Sequence, residues 1–458
     1  MSLIDELRAI VGADGVLDAD EVAGRQAGVW RPDRLSARAL VRPRDTGEVA
    51  AVLRHCHARR QPVVTHGGLT GLVHGADATP DQLILSLERM RAIETVDPVQ
   101  RVARVQAGAT LQAVQEAAEA RGLLFPLDLG GRGTATIGGN ASTNAGGNRV
   151  IRYGMARDMV LGLEAVLADG TVVSSLNSLI KNNAGYDLKH LFIGTEGTLG
   201  VITRLVLRLR EKPTTTNMAF AAFDGFERIP AFLKHMDRRL GGTLSAFEVM
   251  WRSFYLLVTT PPAQGKPPVG QDHPYYALVE SQGSDRELDT RRFNAAMEAA
   301  LEEGLIADAA IAQSDADCHG FWALRDDVGQ IMAQGTAAIF DISLPIAEME
   351  RYTRELDDAL TAAIGEHRLY IFGHLGDGNL HLAVPTSPAT DAELRPRIEA
   401  AVYRGLAAFR GSVSAEHGIG LEKKPWLSIS RTPEEIALMR TLKGALDPFG
   451  LLNPGKVF

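Results

Sequence analysis

Apolar and polar positions follow two different periods along this chain, and the periods divide it into elements. In residues 62–65, 82–87, 101–107 and 201–210, apolar side chains fall at alternate positions or in short runs, which predicts strands. Residues 43–57 show helical spacing instead, with Val49, Val52 and Leu53 on one face behind a cap at Asp45 or Thr46. Thr110 opens a second helix, which Gly122 closes. Residues 1–32 read as a short helical arm carrying Leu3, Ile4, Leu7 and Ile10. Asp169-Gly170, flanked by apolar runs, predicts a hairpin turn. The pattern breaks at Glu211-Lys-Pro-Thr-Thr-Thr216 and then changes. Strand-like residues 215–223 and 275–280 alternate with helical stretches at 285–303, 346–364 and 390–409, followed by a helix over 432–446. That succession predicts an α+β domain of antiparallel strands with covering helices. The proline-rich residues 261–270 predict a mobile surface loop.

Residues 128–148 obey neither period. They are almost entirely glycine, asparagine and small side chains, which cannot build a core and make a poor surface loop at that length. Such a stretch lets backbone approach a bulky ligand closely, as a diphosphate cradle requires. Gly67-Gly-Leu-Thr-Gly71 has the same chemistry directly after a strand, and Gly194-Thr-Glu-Gly-Thr-Leu-Gly200 adds a third element. None matches the G-x-G-x-x-G or G-K-[ST] signatures, so a Rossmann or P-loop site is excluded. Three such elements together point to a large, extended cofactor.

Two clusters carry candidate chemistry. In Phe372-Gly-His-Leu-Gly-Asp-Gly-Asn-Leu-His-Leu382, Asp377-Gly378 suits a two-residue turn, which would set His374 opposite His381. His374, His381 and Asn379 then share one strand face. Two such imidazoles can close on a metal ion, at about 2.0–2.1 Å per nitrogen for zinc. Equally, they can be two solvated histidines on an apolar hairpin. Ser414-Ala-Glu-His-Gly-Ile-Gly420 sets Glu416 beside His417, and Gly418 and Gly420 permit a bend that lets both reach one site. Two histidines, a glutamate and an open position would make a reactive metal site, with His417 left as a base.

Composition narrows the setting. A chain of 458 residues, 45% hydrophobic and 23% charged, can hold two or three domains with a large core. A net charge of −8 argues against nucleic acid or anionic membrane as partner. Cys56 and Cys318 cannot form a disulfide framework. The start lacks a signal-peptide pattern and no apolar run reaches the roughly 20 residues a membrane helix needs, so a cytoplasmic location is expected.

On these motifs the chain resembles the FAD-linked D-2-hydroxy-acid dehydrogenases of the vanillyl-alcohol-oxidase type, in the D-2-hydroxyglutarate and D-lactate branch. The resemblance runs from Arg42 to Phe458. It rests on Gly67–Val73, Pro126–Gly130, Ile137–Gly147, Arg152-Tyr-Gly154, Gly185–Lys189, Leu191–Gly200, His374–His381, Ala415–Gly420 and Asn453–Lys456. It implies an FAD-binding domain over residues 1–214 including the helical arm, a substrate-binding cap over 215–410, and a segment over 411–458 that returns to the FAD domain. FAD would be held non-covalently by Gly67, Gly68, Thr70, Gly71, Pro126, Thr136, Gly138, Gly139, Asn140, Thr143, Asn144, Gly147, Tyr153 and Gly154. Glu196, Gly197, Gly200, Ile202 and Asn453 would line it as well. His66 precedes the glycine pair and does not resemble a flavin-tethering histidine.

The implied reaction takes a D-2-hydroxy acid to the 2-oxo acid, with hydride passing to flavin N5. Zinc or another divalent ion would be held by His374, His381 and Glu416. His417 would act as base and bind substrate together with Arg325 and Asn379. An electron acceptor (an electron-transfer flavoprotein, a quinone or a cytochrome) is implied, and a homodimer is one arrangement to consider. Ile339 stands where D-2-hydroxyglutarate members carry a lysine, which favours a monocarboxylate such as D-lactate. A flavin-binding electron-relay subunit without its own substrate chemistry is the alternative reading, but it would not need the four metal and base residues.

Overall fold

The computed structural model describes residues 2–458, which form two units, each discontinuous in sequence. The first comprises residues up to Gly147, Gly154–Lys212 and Glu416–Phe458. The second comprises Asn148–Tyr153 and Pro213–Ala415.

The first unit holds two sheets. In the smaller, strands Ala39–Val41 and Val63–His66 both pair in parallel with Leu83–Ser86, and Val16–Asp18 adds an antiparallel edge. Every residue of Leu83–Ser86 is buried, as expected for a central strand covered on both faces. Leu452 bridges to Val63 in parallel, so the end of the chain lies beside the strand that feeds Gly67. The larger sheet is antiparallel, in the order Val172–Ser175, Val160–Val166, Val201–Arg208, Val102–Gln106, Ile93–Asp97. Asp169-Gly170 turns its first hairpin as expected, with Gly170 at φ 83°. Asp45 caps helix Thr46–Arg59 through its side chain, and Thr110 does the same for Leu111–Glu119.

Two expectations for this unit are corrected. The N-terminal arm is not one helix: Leu3–Val11 is followed by a 3-10 turn at Ala13–Gly15, the strand Val16–Asp18, the short helix Ala19–Ala23 and the strand pair Gln26–Gly28 and Arg31–Arg34. The glycine-rich stretch contains a helix, Ile137–Thr143, capped by Thr136 Oγ1. Glycine lowers helix propensity, but tertiary contact overrides it: a Cβ on Gly138 would lie 2.6 Å from Ala107 Cβ.

The second unit is built on a seven-stranded antiparallel sheet. Its order is Asp308–Ile311, Thr215–Phe223, Tyr275–Gly283, Leu244–Trp251, Tyr370–His374, Asn379–Pro385, Ala337–Ser343. Alternation sends successive residues to opposite faces. Phe247 meets Phe232 of helix Arg228–Leu240, and Phe340 meets Tyr403 of helix Asp391–Leu406, so this face packs under helices. Glu248, Asp341 and their neighbours two residues on point to the opposite face, where Phe254 stacks on Phe372 at 4.2 Å.

The histidine hairpin differs from the expected two-residue turn. Phe372, not His374, is opposite His381, and Leu375–Asp377 form one 3-10 turn closed by Gly378 at φ 84°. The register shifts by two residues, an even number, so His374, Asn379 and His381 still share one face. The 261–270 loop is not a free excursion. Ala263 and Val269 are buried, and the Tyr255 hydroxyl donates to Val269 O at 2.9 Å.

Candidate functional site

Strand Val63–His66 delivers the chain to a turn whose backbone donors are unused. Among the described residues, the N–H groups of Gly67, Gly68, Leu69, Thr70 and Gly71 meet no protein acceptor. Glycine is required for close approach here, since a Cβ on Gly68 would sit 1.9 Å from Thr134 O and one on Gly67 2.6 Å from Thr136 Oγ1. Beside this turn the side-chain atoms Thr65 Oγ1 and Asn140 Nδ2 are buried without a partner. Buried polar atoms are almost always paired, so these two and the free amides mark a cradle for a polar, extended ligand. The residues fit FAD.

Other residues expected around the cofactor are occupied locally. Asn144 closes helix Ile137–Thr143 at φ 52° and accepts from the Arg157 N–H at 2.9 Å, while Thr143 Oγ1 donates to Gly139 O. A Cβ on Gly147 would lie 2.0 Å from Asp128 O, on Gly154 2.3 Å from Asp158 Oδ2, and on Gly200 2.8 Å from the Phe192 ring. Ile202 is buried in strand Val201–Arg208. Tyr153 belongs to the second unit, where its hydroxyl donates to Gln282 Oε1 at 3.1 Å. Gly197 stands at φ 74°. His66 is fully enclosed, bonds Ala76 O at 2.7 Å, and is pushed down to about 4 by burial, so its ring is neutral.

Glu196 and Asn453 knit this unit together. Asn453 Oδ1 accepts from the Thr65 N–H at 2.8 Å, and its Nδ2 donates to Glu196 O at 2.6 Å. The Glu196 carboxylate accepts from the N–H groups of Ile419 and Gly420 at 2.7 and 2.8 Å, and burial raises its pKa. Glu196, expected to line the flavin, uses its carboxylate to hold the backbone just beyond His417. Gly418 at φ 88° and Gly420 at φ 52° supply the expected bend. Glu416 Oε1 lies 4.0 Å from His417 Nε2.

The polar face of the second unit's sheet centres on Glu248, which is fully buried. Its two oxygens accept from His374 Nδ1 and from Arg325 Nε, both at 2.7 Å. Burial pushes this carboxyl up, but its interactions with His374 and Arg325 outweigh that and hold it below its usual range. Because Nδ1 donates to Glu248, His374 Nε2 carries the lone pair; Arg325 Nη2 lies 3.2 Å from it. Arg325 is therefore a buried, oriented guanidinium rather than a helix-surface cation. Asp341 stands opposite His381 in the sheet. Asn379 Nδ2 donates to Asp341 Oδ1 and to Ile342 O, both at 2.9 Å, leaving the buried Asn379 Oδ1 without a partner. The His374 and His381 rings are 5.3 Å apart.

Asp341 Oδ2 also accepts from the Ala415 N–H at 3.1 Å, which fixes the point at which the chain runs on into Glu416 and His417. One ligand atom from each of Asp341, His381, Glu416 and His417 lies within 4.8 Å of the others, a group able to hold a metal ion. The expected ligand set named His374 where this group has Asp341 and His417. Neither Glu248 nor Asp341 was singled out from the sequence. Each is a lone acid inside an otherwise apolar strand, which is the signal that would have found them.

Residues 212–457 match the C-terminal domain of FAD-linked oxidases, and residues 37–175 match an FAD-binding domain. A mitochondrial D-2-hydroxyglutarate dehydrogenase of Bos taurus is 42% identical over 98% of this chain and 82% of its own length. A D-2-hydroxyglutarate dehydrogenase of Xanthomonas citri is 40% identical over 94% of this chain and 90% of its own length. A putative mitochondrial D-lactate dehydrogenase of Schizosaccharomyces pombe is 35% identical over 99% and 89%. Among solved structures, p-cresol methylhydroxylase with substrate bound superposes with a TM-score of 0.77 at 17% identity, covering 99% of this chain and 96% of that one. That likeness shows the vanillyl-alcohol-oxidase type of fold. The chain belongs to the FAD-linked D-2-hydroxy-acid dehydrogenase family, and it is an FAD-dependent dehydrogenase. No helix among the described residues is long and apolar enough to cross a membrane. The mitochondrial names of the bovine and fission-yeast relatives sit against the cytoplasmic expectation.

Proposed function

We propose that this protein oxidises a D-2-hydroxy acid to the 2-oxo acid with FAD, held non-covalently, and a divalent metal ion, zinc being the first candidate. The observation that carries the metal is the convergence of Asp341, His381, Glu416 and His417 ligand atoms within 4.8 Å. His381 and Glu416 are ligands in this reading. His374 is the third, its Nε2 lone pair directed by Glu248, and Asp341 is within reach. When bound, FAD supplies a hydride acceptor and the metal supplies Lewis acidity toward the substrate hydroxyl.

The chain's own residues do the rest. His417 takes the hydroxyl proton, as an imidazole can near neutral pH. Arg325, pre-oriented by Glu248, supplies positive charge for a substrate carboxylate. Asn379 has both amide hydrogens committed, so its Oδ1 can only accept, which suits a hydroxyl donor.

Two substrate classes are in play. The names of the more similar relatives support D-2-hydroxyglutarate. Ile339 supports a monocarboxylate such as D-lactate: it is 42% exposed on the strand face that carries Asp341 and offers no donor to a second carboxylate. The electron acceptor and a homodimeric state are proposals from the family alone. The test is anaerobic mixing of the purified protein with a panel of D- and L-2-hydroxy acids while flavin absorbance near about 450 nm is followed. Bleaching by D-acids only is expected. Bleaching by L-acids, or by none, would refute the reading.

A further inference from the structure

Lys456 is 4% exposed, yet among the described residues its ammonium makes a single hydrogen bond, to the backbone carbonyl of Asp77 at 2.8 Å. An ammonium has three donors, and among the described residues no other acceptor hydrogen-bonds this one, although the charge of Asp77 acts on it. The Asp77 carboxylate itself is committed to Arg31 and His74. A charge buried without a partner is strongly disfavoured, so such a lysine either loses its proton or awaits an anion.

The surroundings favour the anion. Lys456 is bonded to the loop that begins with the five unused amides of Gly67–Gly71. Three residues before it, Asn453 fixes the Thr65 N–H at the entrance to that loop. Runs of unpaired backbone N–H groups bind anionic oxygens, and a buried cation beside them adds the charge that amides lack. FAD brings a diphosphate with two negative charges. We propose that Lys456 is the counter-ion of the FAD diphosphate, completing the glycine turn as an anion site. No motif expectation assigned it this role.

Burial lowers the Lys456 pKa to about 8, which provides a test free of substitutions. FAD binding to the flavin-free full-length chain is titrated by fluorescence quenching between pH 7.5 and 9.0. Because the charged form must be restored on binding, wild-type affinity should fall roughly 5–10-fold across that range. Lys456→Met and Lys456→Gln should both raise the FAD dissociation constant at least about 10-fold at pH 7.5 and flatten the pH profile. Lys456→Gln keeps a donor for the Asp77 carbonyl without the charge. If it binds FAD like wild type, Lys456 is only a strut and the proposal is wrong. A wild-type affinity independent of pH would overturn it equally. So would variants with unchanged FAD affinity but a lowered flavin midpoint potential, since the charge would then sit at the ring.

Discussion

Glu248 and His374 form a buried carboxylate–imidazole pair, Oε1 to Nδ1 at 2.7 Å, and the same carboxylate grips Arg325 with its other oxygen. One acid thus sets the tautomer of one functional side chain and the orientation of another. Glu248→Gln should weaken metal binding by about 10–100-fold, the usual effect of losing the group that orients a ligating histidine. It should also lower stability by roughly 3–5 kcal/mol at neutral pH, as breaking a buried pair does. The carboxyl is held below its usual range, so its stabilisation is present above about pH 4.5 and is lost as pH falls through the lowered value. The stability gap between wild type and variant should therefore narrow in acid. Urea titrations at pH 7 and pH 4, with metal analysis, check both parts; a variant with normal metal affinity would remove Glu248 from the site.

Glu196 holds the Ile419 and Gly420 amides two and three residues beyond His417. In Glu196→Gln one amide N–H must face another, leaving about 1–3 kcal/mol of unmet donor in a buried place. The expected result is retained FAD with flavin reduction slowed about 10-fold or more. Loss of FAD with an unchanged rate in the remaining holoenzyme would show that this side chain serves the cofactor.

His66 is neutral in the fold because burial pushes it down to about 4. The unfolded chain takes up that proton near pH 6.5, so folding stability falls by up to about 1.4 kcal/mol per pH unit between 6.5 and 4. His66→Asn should flatten this slope by one proton when denaturation is followed in excess FAD. An unchanged slope would place the acid sensitivity in other groups.

Ile339 tests substrate choice. Wild type should handle D-lactate or an apolar D-2-hydroxy acid at least as well as D-2-hydroxyglutarate. Ile339→Lys should shift kcat/KM toward the dicarboxylate by about 1–3 kcal/mol, the range for one charge-assisted hydrogen bond. A wild type selective for D-2-hydroxyglutarate and indifferent to this substitution would mean that the pocket takes its cation from elsewhere.

Much of the architecture was legible in residue patterns because local signals and packing agree. The strand Thr215–Phe223 stands where alternation puts it, and the caps at Asp45 and Thr110 where capping chemistry puts them. The helix Ile137–Thr143 was hidden because its glycine-rich sequence has low helix propensity, while the close approach to Ala107 that calls for Gly138 is a tertiary feature. The turn between the two histidines was read two residues too tight. Asp-Gly suits a two-residue loop, but a 3-10 turn over Leu375–Asp377 uses the same residues and shifts the register by an even number. For that reason the shared face of His374 and His381 did not depend on the turn type. Glu248 and Asp341 were invisible as partners, since their chemistry arises from strands that are distant in sequence.

The proposal stands or falls on whether flavin reduction by a D-2-hydroxy acid depends on a bound divalent ion. The direct measurement is anaerobic stopped-flow reduction of the flavin by a D-2-hydroxy acid, before and after chelation that leaves FAD bound, with metal content measured alongside. The account predicts flavin bleaching at about 450 nm that slows at least about 100-fold on metal removal and returns when zinc or another divalent ion is added back. The His381→Ala variant should behave like the stripped protein. A metal-free protein that still bleaches at the full rate would contradict it.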